Sequence, residues 1–144
     1  MIFLGADHGG FALKEKMKTW LSEWGMEYED LGAPGMDPTD DYPDYAHGVA
    51  QKVIENPINR GIVVCRSGGG MIIAANKHVG VRAVYIFDEK SARHAREHND
   101  ANVAGLAADW ISEPEAKTAV DTFLHTLFSE EPRHSRRIEK LEIV

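Results

Sequence analysis

The chain has 144 residues, 43% of them hydrophobic and 27% charged, which suits one globular domain over residues 1–144. That composition excludes a disordered chain, a disulfide-stapled mini-protein and a collagen-like repeat. Lys and Arg number 16 against 23 Asp and Glu, a formal net charge of −7, and a net acid of this size argues against nucleic acid or an anionic membrane as the main partner.

Met1–Leu4 reads as a buried strand that ends at Gly5-Ala6. It carries neither a basic n-region nor a long apolar core, so it is not a signal peptide. No apolar stretch approaches the ~18 residues of a membrane span. A lone cysteine, Cys65, forms no internal disulfide and suits a reducing, cytoplasmic setting. Phe11, Leu13, Met17, Trp20, Leu21 and Trp24 then recur at helical spacing with lysines largely between them. Gly25 ends that helix. Met26–Leu31 reads as a weaker strand. Residues 32–43 form a loop in which Pro34, Pro38 and Pro43 exclude regular structure, and the acid run Asp37, Asp40, Asp41 and Asp44 reads as solvent decoration.

Tyr45–Ile54 is expected to be helical, with Tyr45, Val49, Ala50 and Val53 on one face. Gly61–Cys65 is the clearest buried strand. A Ser67-Gly68-Gly69-Gly70 turn follows, then a short helix over Met71–Lys77. Val81–Phe87 is β-rich, and Asp88 begins a helix carrying His94 and His98. Asn102–Leu106 is a fifth strand. Ser112-Glu113-Pro114-Glu115 is a capping-box sequence, and the helix it starts shows Ala116, Val120, Phe123, Leu124 and Leu127 on one stripe. Arg133–Val144 reads as a last helix. Strands alternating with helices predict an α/β fold: a three-layer, α/β/α Rossmann-like domain with a five-stranded parallel sheet and a C-terminal helical tail. In such sheets ligands sit outside the carboxyl ends of the strands.

Two segments fall there. In Cys65-Arg66-Ser67-Gly68-Gly69-Gly70-Met71 a strand runs into a glycine turn that opens a helix. Converging backbone N–H groups at such a turn hold an anion and favour a thiolate. An inert buried cysteine before an ordinary tight turn fits the same residues. A Walker A loop is excluded because no Gly-Lys-Ser/Thr follows, and a cysteine-phosphatase loop because position 71 is Met rather than Arg. Asp7-His8-Gly9-Gly10 reads either as a ligand-binding strand end or as a helix cap. His94 and His98 have a spacing that can bind zinc, yet no Glu follows His94 and no third ligand is apparent, so no metal is expected. Arg133, Arg136 and Arg137 read by themselves as a solvated charged face, with phosphate binding as the alternative.

Taken together, the segments resemble the ribose-5-phosphate isomerase B family, which includes the galactose-6-phosphate isomerase subunits. The resemblance rests on Asp7-His8-Gly9-Gly10-Phe11-x-Leu13-Lys14, Asp41-Tyr42-Pro43-Asp44-Tyr45-Ala46 and Gly61-Ile62 to Cys65. It continues through Gly68, Gly70, Ile73–Lys77, Gly80–Ala83, His98-Asn99-Asp100-x-Asn102-Val103 and Arg133-His134-x-x-Arg137. It covers essentially the whole chain in order. It implies aldose–ketose isomerisation of a phosphorylated sugar through a cis-enediolate, without metal or cofactor. Cys65 matches the base, Ser67 a hydroxyl-proton shuttle, and the amides of Gly68, Gly69, Gly70 and Met71 the oxyanion nest. His98 matches the group that opens the furanose ring, with Asn99 beside it. Asp7, His8 and Tyr42 match substrate contacts, and Arg133 and Arg137 phosphate ligands. The family's sites are shared across a homodimer, which can pair into a dimer of dimers.

Two positions depart from the family pattern. Arg66 stands where glycine is usual, and Asp109 where an arginine usually follows the fifth strand. Arg66 is therefore a candidate substrate ligand that supplies a relocated positive charge. D-Ribose 5-phosphate is the expected substrate, with allose or galactose 6-phosphate as six-carbon alternatives. The competing readings are a non-catalytic sugar-phosphate-binding module and a thiol redox protein, the latter lacking a resolving cysteine.

Overall fold

The computed structural model describes residues 1–142. Five strands, β1 (Ile2–Ala6), β2 (Tyr28–Asp30), β3 (Arg60–Cys65), β4 (Ala83–Tyr85) and β5 (Val103–Ala107), alternate with helices. The helices are α1 (Phe11–Glu23), α2 (Tyr42–Ile54), α3 (Gly69–Ala75), α4 (Glu89–Asn99), α5 (Glu113–His125) and α6 (Pro132–Leu141). All strand pairs are parallel, in the order β2-β1-β3-β5-β4. The expected Rossmann-like sandwich is present.

That order assigns each helix to a face. The chain steps outward from β1 to β2, then crosses back over β1 to reach β3. Right-handed crossovers therefore put α1 and α2 on opposite faces. The β3 to β4 step continues in the same direction as α2, and the β4 to β5 step reverses it. One core accordingly joins Met17, Trp20 and Leu21 of α1 to Ala92 and Ala95 of α4 and Val120 and Phe123 of α5. The other joins Val49, Ala50 and Val53 of α2 to Met71 and Ala75 of α3. Successive strand residues alternate between these cores: Ile62 and Val64 enter the first, Val63 and Cys65 the second. The reversal between β1 and β3 leaves a crevice at their carboxyl ends, where open α/β sheets bind ligands.

Several local expectations are corrected. The helix expected from Tyr45 begins at Tyr42, with Pro43 in its first turn, where a missing N–H costs nothing. The helix after β3 begins at Gly69 rather than Met71. The strand expected over residues 81–87 narrows to Ala83–Tyr85. α5 ends at His125, so Leu127 leaves the apolar stripe and is 82% exposed. Lys14, read as part of a polar helix face, is buried. Its Nζ donates to Asp30 Oδ1 at 2.7 Å, which offsets the burial of the charge. The last two residues of the expected C-terminal helix lie outside the described residues.

Candidate active site

The crevice is built from the ends of β1 and β3. After β1, Asp7 is buried, and its Oδ1 accepts the Gly10 N–H at 3.0 Å. At the end of β3, Cys65 is buried as well, and the Gly68 N–H donates to its Sγ at 3.1 Å. A donor aimed at the sulfur supports negative charge there. The turn requires Gly68, whose φ is +76°, a region that side chains with a Cβ rarely enter. In a helix starting at Gly69, the first N–H groups, those of Gly69, Gly70 and Met71, have no intrahelical acceptor. Met71 is wholly buried. Gly70 admits the Tyr42 ring, because a Cβ there would stand 2.6 Å from Tyr42 Cζ. Tyr42 is thus laid over the turn. Ser67 is exposed beside it.

Arg66 and Asp109, the two departures from the family pattern, face one another. Arg66 Nη1 lies 3.5 Å from Asp109 Oδ2, and both side chains are exposed. The Arg66 stem passes Gly9, where a Cβ would come within 2.5 Å of Arg66 Cγ. His8 has a partner that sequence reasoning missed: its Nδ1 lies 2.6 Å from Asp40 Oδ1. Asp40 is therefore not solvent decoration. Asp7, His8 and Asp40 bring ligand atoms within 4.8 Å of one another, a spacing open to a cation. Mutual hydrogen bonding of His8 and Asp40 already accounts for the cluster.

The remaining candidates lie elsewhere. α4 starts after β4 and returns to the amino ends of the strands, where Arg82 Nε donates to the Asn99 and Asp100 carbonyls, 3.1 Å each. His98 stacks on His134 of α6 with ring centroids 4.2 Å apart, and its ring lies 4.0 Å from that of His94, tilted by 52°. Arg133 and Arg137 flank His134 on α6 and are exposed. Cys65 ends β3, paired with Ala107 at the carboxyl end of β5. The five residues of β5 at ~3.3 Å each put roughly 15 Å between the two ends of the sheet. Within one chain, then, Asp7, His8, Tyr42 and residues 65–71 form one group. His98, Asn99, Arg133 and Arg137 form a second group at the opposite end.

The Ribose/Galactose Isomerase family profile matches residues 2–141. The chain belongs to this family. Ribose-5-phosphate isomerase B of Mycolicibacterium paratuberculosis is 39% identical over 140 residues, spanning 97% of this chain and 88% of the relative. A ribose 5-phosphate isomerase from Thermotoga maritima superposes with a TM-score of 0.95 at 43% identity, covering 99% of this chain and 97% of that one. Ribose-5-phosphate isomerase B from Mycoplasma genitalium, solved with bound ribulose-5-phosphate, gives a TM-score of 0.94 at 40% identity, covering 98% and 93%.

The two groups differ in the chemistry they offer. The carboxyl-end group offers a thiol, a hydroxyl and a turn of backbone N–H donors, which is the equipment for moving a proton next to a developing oxyanion. The amino-end group offers arginines and imidazoles, which suit a phosphate and an acid–base step. Burial pushes the His134 imidazole below its usual value, and nearby His98 and Arg133 add to the effect. Its Nε2 is buried without a hydrogen-bond partner among the described residues, with Glu131 Oε2 4.0 Å away. Sequence spacing flagged His134 only as a neighbour of the arginines.

Proposed function

We propose that the chain interconverts D-ribose 5-phosphate and D-ribulose 5-phosphate, with Cys65 as the base. The carrying observation is Cys65 at the crevice with the Gly68 N–H on its sulfur, in a fold that matches a ribulose-5-phosphate-bound relative over 98% of the chain. The thiolate removes the C2 proton of the open-chain aldose. Charge develops on O1, where the N–H groups of Gly69, Gly70 and Met71 stabilise it. The Ser67 hydroxyl carries a proton between O1 and O2, and Cys65 returns its proton to C1. Asp7, His8 and Tyr42 hold the sugar, and Arg66 adds positive charge at the crevice mouth.

The second residue group completes the reaction from another copy of the chain. His98 of that copy opens the furanose ring beside Asn99, and Arg133 and Arg137 bind the phosphate. A homodimer with shared sites is thus part of the proposal, as is a cytoplasmic setting suited to a reduced thiol. The decisive assay measures conversion of ribose 5-phosphate beside allose and galactose 6-phosphates. The pentose should show the highest kcat/KM. A six-carbon sugar ahead of it would reassign the substrate, and turnover of none would leave a binding module.

A further inference from the structure

Asp40 is the residue at the crevice that neither the family pattern nor the roles above employ. It lies at the end of the loop before α2, 32 residues from His8 in sequence. Its side chain is only 6% exposed. Its carboxylate accepts the His8 backbone N–H, at 3.0 Å to Oδ2, and Oδ1 stands 2.6 Å from His8 Nδ1. A carboxylate that serves a backbone donor is an acceptor, and an imidazole nitrogen at this distance from it must carry the hydrogen. The neutral ring then has its proton on Nδ1 and a lone pair on Nε2. The His8 side chain remains 25% exposed, so the free edge of the ring is open to the crevice. The surrounding groups are Asp7 within the same cluster, the Arg66 stem against Gly9, Asp37, whose carboxyl is held low by hydrogen bonds from Thr39, and Tyr45, whose ionisation is pushed up by burial first and by Asp40 next.

We infer that Asp40 is the positioning residue of His8, fixing the proton on Nδ1 so that Nε2 meets the substrate as a hydrogen-bond acceptor. The ligand chemistry this selects is a hydroxyl donor, as on a polyol, rather than an anion or a carbonyl. The inference rests on the sugar-phosphate reading for its substrate, but the tautomer itself belongs to the free protein.

Asp40→Asn keeps the shape and reverses the instruction. The amide oxygen keeps the His8 N–H, the amide NH2 faces Nδ1, and the ring proton moves to Nε2. Ring 15N shifts of histidine-labelled protein at about pH 8, above the ordinary histidine value, are assigned by comparison with His8→Gln. They should show the Nδ1–H form in the wild type and the Nε2–H form in Asp40→Asn. With ribose 5-phosphate, Asp40→Asn should lower kcat/KM by about ten- to a hundredfold, the scale of one lost and mismatched hydrogen bond. In a His8→Ala background it should lower it no further, because a positioning residue has nothing left to position. An Nε2–H ring in the wild type overturns the inference, and so does an equal loss in the His8→Ala background. If ribose 5-phosphate is not turned over at all, the proposed function fails while the ring shifts still decide what Asp40 does.

Discussion

Arg66 and Asp109 meet across the mouth of the crevice through an exposed contact of 3.5 Å. Exposed pairs of this kind are worth little, ~0.2–1 kcal/mol, and are screened by salt. The guanidinium can therefore leave Asp109 for a phosphate or an enediolate at small cost, and Asp109 competes with the substrate for it. Arg66→Gly should raise KM for ribose 5-phosphate about two- to fivefold at low ionic strength with kcat nearly intact, and Asp109→Asn should lower it by a similar factor. Both effects should shrink in high salt. Unchanged KM in both variants would leave Arg66 a solvent-facing side chain. At this scale the sequence was informative wherever chemistry follows a strand: Asp7, His8, Cys65 and the glycine turn lie at the crevice because strand ends lie there. Asp40 was illegible. An acidic Pro-Gly loop has the same composition whether its carboxylates face water or a histidine 32 residues away, and only the folded chain distinguishes them. The Arg66–Asp109 pair, 43 residues apart, is hidden for the same reason.

α6 docks on α4 through a buried imidazole. The His134 ring lies against His98, and its pKa is lowered by burial, by His98 and by Arg133. The folded chain thus binds fewer protons at this site than the unfolded chain does near the ordinary histidine value of about 6.5. Stability rises with pH through that range and is lost as the pH falls below it. Thermal melting should fall on acidification from about pH 7.5 to about 5.5, and His134→Phe, which keeps the stack without the charge, should flatten that slope. Equal slopes in the two proteins would remove His134 from the effect. Element by element, alternating strands and amphipathic helices were legible because each has a period. Boundaries were less so. Pro43 reads as a breaker, yet the first helical turn tolerates it. Lys14 reads as surface, yet Asp30, half-buried itself, gives it a partner inside the fold's edge. Neither signal is local, so no periodicity carries it.

The whole molecule has its candidate chemistry split between two ends of one sheet, and the direction of α4 makes this unavoidable. A helix that leaves the carboxyl end of β4 and feeds β5 delivers its own last residues, His98 and Asn99, to the amino end. Roughly 15 Å of β5 then separates them from Cys65. One chain cannot close that distance by moving side chains, whereas a two-fold pair can place the amino-end group of each copy on the crevice of the other. A site shared between two copies has a quantitative consequence. Cys65→Ala and His98→Ala homodimers should each be nearly inactive while melting close to the wild type. After subunit exchange at equal amounts, half of the dimers are hybrids. Each hybrid has one site with both substitutions and one site with neither, so about a quarter of wild-type activity should return. Native mass spectrometry reports the hybrids independently of turnover. Hybrids present without recovered activity would place Cys65 and His98 in service of one chain, and the shared site would be wrong.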